Sequence, residues 1–259
     1  MFQVLASQSR YELQQQILLN TNGLAINTSN RFGDVDSLGN VSSIISVSHP
    51  NFGESLTQGV LSTQPNLIAN HFGTGKNSIL FNGSNDNIIK ANTSFAPDWD
   101  EEFYVAIKLK SPTIAFRCPF AVGQAVLKGG GPGFRFQISS TGQFQVVMAS
   151  GSGGIFSKAM QTNLSYFNNT ERNFIFHHKG VDEIVNDDIY LEGLLVAKTV
   201  LRDDSFIGKT MYSEPVSINL RLGVRADGNG YYSGHIGRVI LGFGSPNVEL
   251  ITNSLNSVI

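Results

Sequence analysis

Along most of this chain apolar residues recur every second position with polar residues between them, the period of strands that have one buried and one wetted face. Ile218, Leu220, Leu222 and Val224 alternate with Asn219, Arg221, Gly223 and Arg225. A turn-rich tip from Asp227 to Tyr232 follows, and the chain resumes as a β-branched run from Ser233 to Phe243 with glycines near both ends. These two stretches are expected to pair and close one sheet.

The same pattern marks the strands upstream. Ser78–Asn82 and Asn87–Lys90 read as a hairpin around a polar Gly-Ser-Asn-Asp corner. Phe103, Val105, Ile107 and Leu109 point inward, which leaves Tyr104, Ala106 and Lys108 a partly wet face. Phe120–Gly123 is a short strand. Phe134, Phe136 and Ile138 alternate with Arg135 and Gln137, turn at Ser140-Thr141-Gly142, and return as Phe144, Val146 and Met148. Asn173–Lys179 is a further strand, and Ile189–Lys198 a hairpin with Glu192-Gly193 at its turn.

Helical spacing occurs at the two ends. Ser9 and Glu12 match a capping box and Gly23 supplies a stop, so residues 1–23 are expected to form a helical arm. Its contact residues are Tyr11, Leu13, Ile17 and Leu18, packed on the domain edge or docked on another subunit. Ser245 as cap and Pro246 in the first turn open a closing helix carrying Val248, Ile251 and Leu255. Residues 24–76 are polar and turn-rich, a lead-in of edge strands and loops before a core over 77–259. Residues 24–259 are expected to form one domain, an all-β, two-sheet antiparallel sandwich.

Composition narrows the function. A chain of 259 residues with 41% apolar and 15% charged residues can bury a large core and is not a disordered segment. The formal net charge of -2 gives no general drive towards nucleic acid, and no apolar run near 18 residues predicts membrane insertion. The first residues lack a basic start and apolar core, so no cleaved signal peptide is expected. Cys118 is the only cysteine, which excludes an internal disulfide and suits a buried apolar thiol.

The segment from Ser78 to Ile88, the strand ending Phe-Ala-Val-Gly123, the Gly133–Met148 hairpin, Asp188–Leu194 and Gly234–Ile240 together resemble the concanavalin A-like, laminin-G-type jelly roll. The resemblance spans roughly residues 60 to 255 and implies the sandwich fold. Within that family the chain is similar to domains of phage virion proteins such as capsid decorations, head fibres and tail accessories. That likeness implies a virion protein made in the host cytoplasm, whose partners are other virion proteins or copies of itself. Neither the arm nor the region from Val47 to Leu56, where the family often carries a tryptophan element, matches the pattern.

The candidate chemistry is sparse. Retaining glycosidases need two carboxylates about 5 to 5.5 Å apart. Glu183 and Asp187 are the nearest pair, with Val185 where an intermediate carboxylate belongs, and the segment reads as a solvated acidic turn. His177 and His178 are adjacent on a strand and point to opposite faces, which does not suit one metal ion. Gly73-Thr-Gly-Lys-Asn77 lacks the first glycine and the hydroxyl residue of a phosphate loop. Asp227-Gly-Asn-Gly230 and Ser84-Asn-Asp-Asn87 read as turns, with calcium the alternative that their oxygens allow and no other cofactor expected. Trp99 reads as an inter-sheet plug.

The best contact surface is the tip carrying Arg225, Asp227, Asn229, Tyr231 and Tyr232, where aromatic faces could stack on sugar rings. The leading expectation is a non-enzymatic structural or binding protein of a phage particle. A carbohydrate-binding module is the alternative, and a degenerate glycoside hydrolase comes third.

Overall fold

The computed structural model describes residues 24–27, 32–35, 38–48, 55–73, 76–91, 93, 95–112, 117–123, 133–150, 156–209, 211–212, 218–225 and 230–257. The expected arm, with Tyr11, Leu13, Ile17 and Leu18, lies outside them.

The first half of the chain gives β1 (Leu24–Asn27), β2 (Phe32–Val35), β3 (Val41–Ser48), β4 (Ser55–Thr57), β5 (Asn66–Ile68), β6 (Ser78–Asn82), β7 (Ile88–Lys90), β8 (Glu102–Lys110) and β9 (Arg117–Gly123). The second half gives β10 (Gly133–Ile138), β11 (Phe144–Ser150), β12 (Phe156–Thr162), β13 (Glu171–Lys179), β14 (Asp188–Leu191), β15 (Leu194–Leu195), β16 (Lys198–Asp203), β17 (Leu220–Leu222), β18 (Ser233–Phe243) and the helix α1 (Val248–Asn256).

All strand pairings among these elements are antiparallel, and they build two sheets. The front sheet runs β15-β14-β13-β8-β18, with β6 and then β1 lying along the far side of β18. The back sheet runs β2-β3-β4-β7-β17-β9-β10-β11-β12-β16. β3 belongs to both, pairing with β2 and β4 through its first part and with β1 through its last.

The alternating apolar residues meet between the sheets. Phe103, Phe174 and Phe176 from the front face Phe120, Phe134, Phe136 and Phe144 from the back in one buried cluster. Rings of this size dominate the burial energy, each contributing about 1.5–3 kcal/mol on transfer from water. The Phe134–Met148 hairpin forms as expected, and its register places Phe136 opposite Val146. The Glu192-Gly193 turn is also as expected: both residues have positive φ (51° and 83°), the geometry of a two-residue hairpin loop.

Several expectations are corrected. β6 and β7 are not a hairpin, since β6 joins the front sheet and β7 the back. Between them the Asn82 Oδ1 accepts from the backbone N–H of Ser84, Asn85 and Asp86, which bends the chain across the gap. β17 and β18 likewise lie in different sheets and do not pair with each other. The first of them is also shorter than expected, spanning Leu220–Leu222.

The second face of β8 is not wet. Tyr104, Ala106 and Lys108 are buried, and α1 packs Ile251 and Leu255 against Tyr104, Ala106, Ile175 and Ile240. On the back sheet Arg135 and Gln137 are also buried, Arg135 Nε donating to Gln137 Oε1 at 2.8 Å. The cap of α1 is Asn247, whose Oδ1 accepts from Leu250 N at 3.0 Å, and not Ser245, which donates to Glu102 Oε1.

Candidate functional site

The β17–β18 connection is described at its stem. Gly223 closes the stem with φ 83°, and a Cβ there would collide with the Phe81 ring. The Tyr232 backbone N–H then donates to Gly223 O at 2.8 Å. Across the stem Cys118 N donates to Gly230 O at 2.9 Å, and Cys118 forms a parallel bridge with Tyr231. The Cys118 side chain is buried, as its sequence setting suggests, its thiol donating to Phe120 O at 3.4 Å.

The predicted contact residues separate in this geometry. Arg225 and Tyr231 are half-buried on the stem, and Asp227 and Asn229 lie outside the described residues. Tyr232 is corrected as a ligand contact. It is fully buried against Phe81, with Oη donating to Lys110 O at 3.0 Å and His235 O at 3.3 Å. Burial pushes its phenol well above the ordinary range. Neighbouring residues of an extended stem face opposite ways, so one tyrosine anchors the loop while the other reaches its surface.

The acidic segment is a turn solvated only in part, with Glu183, Val185 and Asn186 exposed. Asp187 is fully buried, its Oδ2 2.8 Å from His178 Nδ1 and its Oδ1 accepting from Lys179 N at 3.1 Å. Asp182 accepts from Ser205 Oγ at 2.6 Å and stands 3.2 Å from the buried Lys158 ammonium, which Asp203 also holds at 2.7 Å. Glu183, by contrast, is exposed just before the short 3-10 turn Ile184–Asn186. One carboxylate of the candidate glycosidase pair is therefore sealed in the fold and the other stands in water.

The two histidines do take opposite faces. His178 meets Asp187, the Trp99 carbonyl and the Phe103 ring on the core side, and His177 Nε2 lies 2.9 Å from Glu102 Oε1. Trp99 is half-buried against the core, its indole donating to Lys209 O at 2.7 Å. At the Ser84–Asn87 corner the Asp86 carboxylate accepts from Asn82 N and Nδ2, both at 2.8 Å, so its oxygens serve the turn. Burial raises the Asp86 pKa. Among the described residues no group of three or more His, Cys, Asp or Glu is placed to hold a metal ion.

Sequence reading missed two cations on the outer face of the front sheet. Lys108 and Arg238 are each 3% exposed and sit beneath the end of α1. The signal available was a basic residue inside each of two long, largely buried strands, β8 and β18.

No family model and no curated protein matches the chain. Solved structures of similar fold include several toxin binding domains. The binding domain of Paraclostridial Mosquitocidal Protein 1 superposes with TM-score 0.56 at 10% identity over 90% of this chain and 51% of that one. The botulinum neurotoxin serotype G binding domain gives 0.56 at 13% identity over 90% and 50%. The serotype D ligand-binding domain in complex with N-acetylneuraminic acid gives 0.58 at 12% over 92% and 52%. The chain thus spans about half the length of these toxin domains, and at such identities the likeness is one of fold. The protein is a two-sheet antiparallel jelly-roll sandwich.

Proposed function

We propose that this protein is a non-enzymatic, lectin-like binding module whose ligand contact is the β17–β18 loop. The observation that carries this reading is the split between the two tyrosines. Tyr232 locks the stem into the core, and Tyr231 and Arg225 are each partly exposed on that stem. An aromatic face and a guanidinium carried on one stem suit a sugar ring with polar or acidic substituents. Further support comes from the neighbours, each described as a binding domain and one of them solved with an acidic sugar.

The wider setting favoured by the sequence resemblance is a phage particle, with the module as decoration, fibre or tail accessory and the N-terminal arm as its attachment. Mass spectrometry of purified particles tests that setting separately.

The module itself is tested on a glycan array, followed by calorimetry on any hit. Tyr231→Ala and Arg225→Ala should each weaken binding roughly tenfold or more, the size of a lost stacking or charge-assisted contact, and Tyr232→Phe should leave affinity unchanged. Absence of any glycan bound by the wild type, or equal binding by Tyr231→Ala, defeats the proposal.

A further inference from the structure

Under the C-terminal end of α1, on the outer face of the front sheet, lies a small pocket floored by cations. β18 carries a bulge here: Ile236 pairs with Leu109 and Val239 with Ile107, so Gly237 and Arg238 together oppose Lys108. Bulges re-aim side chains, and this one brings Arg238 beside Lys108 below the helix. A Cβ on Gly237 would come within 2.8 Å of Phe72 Cε2, so glycine there lets the Phe72 ring close one wall. The Lys108 ammonium lies 5.1 Å from that ring's centroid, and Lys76 adds a third cation to the lining.

The positive charge is poorly balanced. Lys108 has Glu171 at 3.7 Å, but that carboxylate is 49% exposed and correspondingly screened. Among the described residues no carboxylate pairs with Arg238. Its Nη1 donates to Ser254 O, to Ser254 Oγ at 2.7 Å and to Ser257 Oγ at 3.2 Å. These contacts cap the helix, whose C-terminal end carries only about half a negative charge. Among the described residues the buried Nη2 has no hydrogen-bond partner. Burial pulls the guanidinium down to about 9. A buried charge that lacks a counterion is strongly disfavoured, so helix capping alone leaves this arrangement uncompensated.

We infer that the pocket formed by Arg238, Lys108, Lys76 and Phe72 is an oxyanion-binding site, separate from the β17–β18 loop, that receives a phosphate, sulfate or carboxylate group. A guanidinium offering a free nitrogen beside an ammonium is the usual geometry for such groups. The enclosed space is ≈ 10 Å³, room for about one water-sized atom. One anionic oxygen therefore enters, and the rest of the group stays at the mouth beside Lys76.

The test uses the whole chain with inorganic phosphate, sulfate and acetate as probes, at constant ionic strength set with sodium chloride. Calorimetry and Tm should show saturable binding of at least one probe, and their ranking tells phosphate or sulfate chemistry from carboxylate. Lys76→Gln and Arg238→Gln should each weaken it roughly tenfold, as expected for a lost charge-assisted hydrogen bond. A crystal soaked in selenate should give an anomalous peak within hydrogen-bonding distance of Arg238 Nη2, which decides the matter if Arg238→Gln fails to fold. The inference is overturned if no probe binds saturably, if Lys76→Gln binds as the wild type does, or if selenate lodges only elsewhere.

Discussion

Phe144 of β11 and Phe174 of β13 stack across the gap between the two sheets, their ring centroids 4.1 Å apart and their planes within 4°. They lie on different sheets and are both fully buried, so the contact is one that holds the layers together. Phe144→Ala should therefore destabilise the fold by about 3–5 kcal/mol, transfer and cavity costs combined. Urea titration of the two proteins measures it, and a change below about 1 kcal/mol would refute the role.

Gly223 makes a second test of packing. Its φ of 83° and the Phe81 ring at its Cβ position penalise any side chain twice. Gly223→Ala should lower stability by about 2–4 kcal/mol, whereas Gly208→Ala, which meets nothing within 4 Å despite its φ of 71°, should cost only about 1 kcal/mol.

Asp187 and His178 are a sealed pair, both 0% exposed at the side chain. Asp187→Ala strips the His178 ring of a buried partner and should cost about 3–5 kcal/mol. Because neither group reaches the surface, Asp187→Ala at a temperature where it remains folded should bind any glycan ligand as the wild type does.

Tyr232→Phe removes the hydroxyl that serves the Lys110 and His235 carbonyls. Leaving these acceptors unserved should cost about 1–3 kcal/mol. Tyr231→Phe should cost nothing measurable. Thermal unfolding of the two variants side by side separates anchor from contact.

Acid should destabilise the protein in a window set by His235. Burial, then the neighbouring His71, then Lys110 hold its imidazole down to about 4. Its ring stacks on His71 with centroids 3.4 Å apart, and Ser78 Oγ lies 2.9 Å from Nδ1. The unfolded ring protonates near 6.5, so between about 6.5 and 4 the unfolded state binds more protons. Stability is full above that window and falls as pH drops through it. His235→Gln should flatten the slope of stability against pH over this range; an unchanged slope would exclude His235 as its source.

What the sequence disclosed was local. The Phe134–Met148 hairpin and the Glu192-Gly193 turn depend on residues adjacent in the chain, and alternation with turn chemistry suffices to place them. The sheet that receives a strand depends on partners far away, and so β6 and β7, or β17 and β18, look like hairpins until their true partners are seen. Lys108 reads as wet because nothing near it in sequence announces that α1, some 140 residues later, will cover it. The tyrosine pair could not be phased either, because the glycine-rich tip interrupts the alternation that would show which ring turns inward.

β3 gives the sandwich a mechanical property. Its first part is zipped into the back sheet and its last part into the front. A load that drags one layer away from the other must tear this single strand out of one of its two ladders, as a strap resists the opening of two boards.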